Sequence, residues 1–179
     1  MPTTHSVSVI LARAEYDASQ IKMESIRVDE LLMDVIEELF RAKPEYHINL
    51  SFADAPADLS NSPTIDDDTS VTANRYLLAL AFRNLIENNC KYSSDHTSHV
   101  AISLHQGLSV TFADNGIGMT PAERRNLFRM FYRGSNHTES GHGIGMALVQ
   151  RIMVLHDARI DVQSKEGHGT KFILSFAKR

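Results

Sequence analysis

Four stretches in the second half of the chain alternate polar and apolar residues, and short glycine-bearing turns join them in pairs. "HVAISLH" and "LSVTFAD" flank Gly107, while "ARIDVQS" and "TKFILSFA" flank "KEGHG". A period of two turns one face of each strand toward a core, and a short turn sets neighbouring strands antiparallel. Two hairpins of this kind need an apolar layer over their inner face. Helical segments supply it. In "RVDELLMDVIEELFRAK", Leu31, Leu32, Val35, Ile36, Leu39 and Phe40 recur at helical spacing, with Asp29 as a candidate cap. Asn74 can cap a second helix that runs through "YLLALAF" to about Lys91. Thr120 and Pro121 open a third in "TPAERRNLFRMF", and "IGMALVQRIMVLHDA" is apolar enough for a core helix. "YHINLSF" and "SVTA" read as further strands, and "ADAPADLSNSPTIDDD" between them as a loop. Helices interleaved with antiparallel hairpins predict an α+β fold, one sheet with helices packed on one face.

Composition narrows the function classes. At 179 residues and a net charge of −4, the chain suits one globular domain and offers no electrostatic basis for binding nucleic acid or an anionic membrane. Cys90 is the single cysteine, which excludes an internal disulfide and fits a reducing compartment. No apolar run reaches the length of a membrane span, and the N-terminus lacks a signal-peptide pattern, so a cytoplasmic domain without direct membrane insertion is expected. Residues 6–23 place Val7, Ile10, Leu11 and Ala14 on one side of a short helical stretch, which reads as the end of an element packing elsewhere.

Three motifs carry chemistry. In "NLIENNCKYS", Asn84, Asn88 and Lys91 fall at i, i+4 and i+7, on one helix face, while Leu78, Phe82, Leu85 and Cys90 point elsewhere. Such a stripe is either a solvated face or a surface for Mg²⁺ and phosphate, since an amide oxygen suits a hard cation and an ammonium suits a phosphate. "DNGIGM" ends a strand. It is either an Asn-Gly turn or a base pocket in which Asp114 accepts amino hydrogens and Gly116 and Gly118 permit close backbone approach. "GHGIGMALV" runs from glycines straight into a helix, as a hinge or as a phosphate loop using free N–H groups and the helix dipole. It matches neither a dinucleotide fingerprint nor a Walker A loop.

The order of these motifs, with "LFRMFYRG" between the last two and "SKEGHGTKFILSF" at the end, resembles the catalytic ATP-binding domain of two-component sensor histidine kinases. The resemblance covers about residues 28–178 and extends to gyrase-type, mismatch-repair and heat-shock ATPases. It implies a two-layer α/β sandwich with a mixed, mostly antiparallel sheet, and a division into a dimerisation-helix end and linker (1–27) and a catalytic domain (28–179). It also implies ATP and Mg²⁺ as ligands. Asn88 would coordinate Mg²⁺, Asn84 would assist near the phosphates, Lys91 would contact phosphate and Tyr92 would pack on the nucleotide. Asp114 would bind the adenine amino group, with Gly116, Gly118, Met119 and Thr170 around the base. Phe128, Phe131 and Arg133 would dock a lid spanning residues 119–140, Arg133 reaching phosphate or the partner domain. Gly141, His142, Gly143, Ile144, Gly145 and Met146 would form the phosphate loop, His142 being either a phosphate contact or an exposed loop histidine.

Histidine kinases of this type phosphorylate a histidine on a separate helical domain, next to an acidic residue and a proline. "THSVSV" around His5 has neither, so the resemblance implies an acceptor elsewhere, a homodimeric parent protein and a response regulator downstream. Relatives that hydrolyse ATP carry a glutamate where this chain has Asn84, and an amide is a poor base. Glu87 is offset from that position and reads as salt-linked or solvated. The alternatives are a hydrolytic ATPase of the same superfamily, a serine/threonine kinase of the anti-sigma type, and a degenerate interaction module. Cys90 reads as a buried structural thiol.

Overall fold

In the computed structural model of the chain, residues 21–53, 69–129 and 145–177 are described. The elements in chain order are β1 (Glu24–Arg27), α1 (Val28–Ala42), β2 (His47–Phe52), β3 (Ser70–Ala73), α2 (Arg75–Tyr92), β4 (Thr97–Ser103), β5 (Ser109–Ala113), α3 (Pro121–Asn126), α4 (Gly145–Leu155), β6 (Ala158–Ser164) and β7 (Thr170–Phe176). The main sheet has the order β2-β4-β5-β7-β6, parallel at β2–β4 and antiparallel at the other three pairings. Both hairpins expected from alternation are present, and the first turns through Gln106 and Gly107, both at positive φ. A separate two-stranded sheet pairs β1 with β3. The four-residue "ESIR" of β1 is too short and mixed to announce a strand by periodicity.

Helices cover one face of the sheet. Helix α1 buries Val28, Leu31, Leu32, Val35, Ile36 and Leu39, as its spacing requires. Phe40 does not join them and stays 46% exposed, because it lies about 40° of helix beyond Ile36, which is the edge of that stripe. Asp29 is not the cap expected of it. Strand β1 runs directly into α1, so Arg27 is the N-cap residue, and the Val28 N–H donates to the Thr69 carbonyl instead. Asp29 sits in the first turn, where its carboxylate accepts from the Arg27 guanidinium at 2.7 Å and the Thr69 hydroxyl at 2.8 Å.

Asn74 does cap α2, its Oδ1 accepting from the Leu77 N–H at 3.0 Å. Helix α4 packs against α2 with its last turn at this cap. There the His156 Nε2 accepts the Asn74 N–H at 3.0 Å, and Nδ1 donates to the Ile152 carbonyl at 2.6 Å. Burial pushes His156 below the ordinary histidine range, which keeps the ring neutral and able to accept. Thr120 caps α3 with Pro121 at the first helical position, as the sequence indicates, and Glu123 completes a reciprocal capping box. Helix α3 is shorter than "TPAERRNLFRMF" suggests and ends at Asn126.

Candidate nucleotide-binding site

Inward-facing residues of the central strands stack in layers across the sheet. Ile102, Val110 and Leu174 make one layer, and Val100, Phe112 and Phe172 make the next. One alternate position further on, the layer turns polar. It contains Ser98 on β4, Asp114 just past β5, Thr170 on β7 and Ser164, which pairs with Thr170 across β6–β7. Helix α2 closes the layer from above. Its buried stripe runs Phe82, Leu85, Ile86 and then Asn89, so the helix also becomes polar at this end.

Asp114 is the centre of the layer and only 5% exposed. Its Oδ1 accepts from the Gly116 N–H at 2.8 Å and the Thr170 N–H at 3.3 Å. Its Oδ2 accepts from the Asn89 amide at 2.7 Å. Asn89 in turn accepts from the Ser98 hydroxyl at 2.8 Å. Burial pushes the Asp114 carboxyl above the ordinary range, against the hydrogen bonds from Gly116, Asn89 and Thr170, while the charge of Asp95 adds to the rise. Ser164 ties the other side together. Its Oγ accepts from the Met119 N–H at 2.8 Å, donates to the Gly169 carbonyl at 3.0 Å and meets the Thr170 hydroxyl at 2.9 Å. Among the described residues, no buried side-chain polar atom lacks a partner.

The loop after Asp114 docks on the end of α2. The Ile117 N–H donates to the Tyr92 carbonyl at 3.2 Å, and the Gly167 N–H donates to the Ile117 carbonyl at 2.7 Å. A Cβ at Gly116 would lie 1.9 Å from the Tyr92 carbonyl oxygen, so only glycine allows this approach. Gly118 has φ +66°, and a Cβ there would lie 2.0 Å from the Lys165 carbonyl oxygen. Both glycines expected at the pocket are therefore required by its backbone.

The structure brings Asp114, Gly116, Gly118, Met119 and Thr170 together at one end of the sandwich, with the Tyr92 backbone joined to them. The Tyr92 side chain is 37% exposed. Asn84, Asn88 and Lys91 lie half-buried on α2, on the face next to Asn89, and make no side-chain hydrogen bond or ion pair to another described residue. Glu87 is held by Arg83 at 3.2 Å, the salt-linked arrangement anticipated for it. Gly145 is the first residue of α4, Met146 packs partly buried against the core, and Phe128 is half-buried. Phe131, Arg133, Gly141, His142, Gly143 and Ile144 lie outside the described residues. Sequence reasoning passed over Asn89, Ser98 and Ser164. For Asn89 a signal existed, since it occupies the i+7 position of the apolar stripe begun by Phe82.

Cys90 is fully buried, and its thiol is pushed up to about 12, by burial first and then by the charges of Asp114, Glu87 and Asp95. It is therefore protonated and shielded at neutral pH, where thiolate is the reactive form. We expect the native protein to resist iodoacetamide at pH ~8 and the urea-unfolded chain, whose thiol returns to a pKa of about 8.5, to be alkylated. Mass spectrometry of the two samples checks this; rapid labelling of the native chain would contradict the packing.

The features of residues 73–179 match one family throughout: "Histidine kinase-, DNA gyrase B-, and HSP90-like ATPase". The chain belongs to this family. Among its similar proteins is the heme sensor protein HssS of Staphylococcus saprophyticus, 38% identical over 112 residues that cover 61% of this chain and 24% of that protein. The sensor-like histidine kinase SenX3 of Mycobacterium tuberculosis is 31% identical over 159 residues, covering 86% of this chain and 36% of that one. The chain thus spans well under half the length of these relatives. Solved structures show the same fold. The mycobacterial sensor histidine kinase MprB superposes with a TM-score of 0.66 at 20% identity, covering 87% of this chain and 97% of that one. Full-length ShkA, in a complex with AMPPNP, also gives 0.66, at 22% identity, covering 98% of this chain and 37% of that one. The α+β sandwich and the histidine-kinase type of ATP-binding domain expected from the motifs are both shown by these matches.

Proposed function

We propose that this domain binds MgATP at the polar end of its sandwich and transfers the γ-phosphoryl group to a histidine on a separate helical dimerisation domain, for relay to a response regulator. The observation that carries the reading is Asp114, a carboxylate buried in an otherwise closed layer and held by three N–H donors. A fixed acceptor of this kind suits the amino group of adenine. Gly116 and Gly118 keep the backbone close around it, and Met119 and Thr170 line the same end.

The half-buried stripe of Asn84, Asn88 and Lys91 leads away from Asp114 along α2 and is free of other described partners. Lys91 provides a point charge for phosphate. No group of three or more His, Cys, Asp or Glu side chains able to hold a metal ion exists among the described residues. Their donor set therefore suits an ion that arrives with the nucleotide: Asn88 offers a hard amide oxygen, and phosphate and water supply the remainder. Bound in this way, Mg²⁺ would neutralise charge on the phosphates. The chain's own task is to orient the triphosphate while the acceptor imidazole attacks phosphorus and ADP leaves. Hydrolysis is disfavoured because Asn84 is no base and Glu87 is committed to Arg83.

The same reading places the domain in the cytoplasm as part of a homodimeric parent. No helix among the described residues is long and apolar enough to cross a membrane. The test mixes this chain with a histidine-bearing dimerisation domain of a related kinase and MgATP. Acid-labile phosphohistidine on the helical domain, with none on His5 in the chain alone, is the expected result. Label on His5 would overturn it, and steady ATP turnover lost in Asn84→Ala would favour a hydrolytic ATPase.

A further inference from the structure

The buried chain Ser98–Asn89–Asp114 has a direction that its chemistry dictates. An ionised carboxylate can only accept, so the end of the Asn89 amide facing Asp114 Oδ2 at 2.7 Å must be the NH₂ group. The amide oxygen then faces Ser98 Oγ at 2.8 Å, and the hydroxyl must donate to it. Asn89 and Ser98 are 0% exposed, so neither can exchange its partner for bulk water. Helix α2 and strand β4 thus meet through one polar contact set inside an otherwise apolar interface, and the contact ends on the acceptor assigned to the base.

Its consequence follows from counting lone pairs. The two oxygens of a carboxylate offer about four acceptor positions. Gly116 and Thr170 occupy Oδ1, and Asn89 occupies one position on Oδ2. What is left for a ligand is the remaining capacity of Oδ2, on a group whose burial opposes ionisation. A protonated Asp114 would present a donor instead. That single proton could instead go to Asn89 Oδ1, with Asn89 then donating to Ser98, so the ligand meets a donor only while the Asn89 NH₂ keeps facing the carboxyl. The ionised acceptor and the protonated donor suit different ligands, because adenine presents an amino group where hypoxanthine presents an oxo group.

We propose that Asn89 and Ser98 are positioning residues for the base: they hold Asp114 as an ionised acceptor, so that residue 89 sets the discrimination between amino- and oxo-purine nucleotides. This rests on the nucleotide reading above and adds to it the source of base specificity. The other titratable groups felt at Asp114 are Asp95, in the turn between α2 and β4, which favours the protonated form, and the neutral Cys90 thiol on α2. Asn89 is the side chain that opposes Asp95, and Gly116 and Thr170 do so from the backbone.

The experiment compares ADP with inosine diphosphate by calorimetry in the wild type, Asn89→Leu and Ser98→Ala, across pH ~5–8, with the Asp114 side-chain carbon signal titrated by NMR in nucleotide-free protein. Asn89→Leu removes the donor and excludes a replacing water. ADP binding should weaken about tenfold or more, the cost of one hydrogen bond to a charged group, while binding of inosine diphosphate holds or improves. The loss should deepen toward low pH, and the Asp114 titration should move upward. Ser98→Ala, which removes one hydroxyl and is the gentler change, should move both readouts the same way by less. Equal losses for the two nucleotides in both variants, or an unmoved Asp114 titration, would reduce Asn89 to packing and overturn the inference while leaving the nucleotide reading intact. A folded wild type that binds neither nucleotide would overturn that reading itself, and this inference with it.

Discussion

Replacing Asp114 with asparagine abolishes nucleotide binding and leaves the fold in place. The variant keeps an oxygen for the Gly116 and Thr170 N–H groups, but presents an NH₂ where the carboxylate presented Oδ2. Asn89 can answer by turning its amide, and Ser98 by accepting where it had donated, so no buried polar atom loses its partner. The base amino group has no such recourse. It meets a donor, and a site built to accept an N–H rejects its reversal strongly, by at least about a hundredfold. Calorimetry with ADP, alongside circular dichroism, separates the two effects; affinity within a few-fold of wild type would remove Asp114 from the site.

The same variant has a pH signature. Burial raises the Asp114 carboxyl in the folded state, so the native protein binds that proton more tightly than the unfolded chain does. The stability this contributes is complete below the unfolded carboxylate pKa of about 3.9 and is lost as pH rises through the higher folded value. Asp114→Asn has no charge to bury and no such loss. In urea titrations the variant should therefore gain on the wild type between pH ~4 and neutrality.

How far the sequence reaches depends on whether a feature is local. The hairpin at Gln106–Gly107 and the helix start at Thr120–Pro121 are local: turn and cap chemistry specify them, and both are present. The parallel pairing of β2 with β4 is not. His47–Phe52 alternates like any half-buried strand, and nothing in that period names its neighbour or its direction. Strand β1 is harder still, because Glu24–Arg27 is held to Ser70–Ala73 by partners more than forty residues away. In the site, Asp114, Gly116 and Gly118 were legible because a strand end meets glycines there. Asn89 was overlooked because it sits among other asparagines. Asn84 and Asn88 drew attention as a stripe, while Asn89, one residue on, continued the buried Phe82–Leu85–Ile86 face. A polar residue at that phase needs a buried partner, and Asp114 is the partner.

Gly116→Ala should be strongly damaging although it adds only one methyl group. The added methyl would lie 1.9 Å from the Tyr92 carbonyl oxygen, 2.6 Å from its carbon and 2.9 Å from Asp114 Oδ1. Two of these atoms are backbone at the end of α2 and cannot rotate away, so the loop must lift off the helix. Lifting it breaks the bond from the Ile117 N–H to Tyr92 and withdraws the Gly116 N–H from Asp114. Overpacking against backbone together with a weakened buried carboxylate should cost about 2–3 kcal/mol. ADP affinity should fall as well, since the residue that moves is bonded to the acceptor. Gly145→Ala is the contrast. A Cβ there meets nothing within 4 Å among the described residues, and alanine favours a helix over glycine, so that variant should be neutral or gain up to about 1 kcal/mol. Urea midpoints for the two variants decide the matter. A Gly116→Ala midpoint equal to wild type would mean that the loop does not rest on the end of α2, and that the carboxylate is not held from that side.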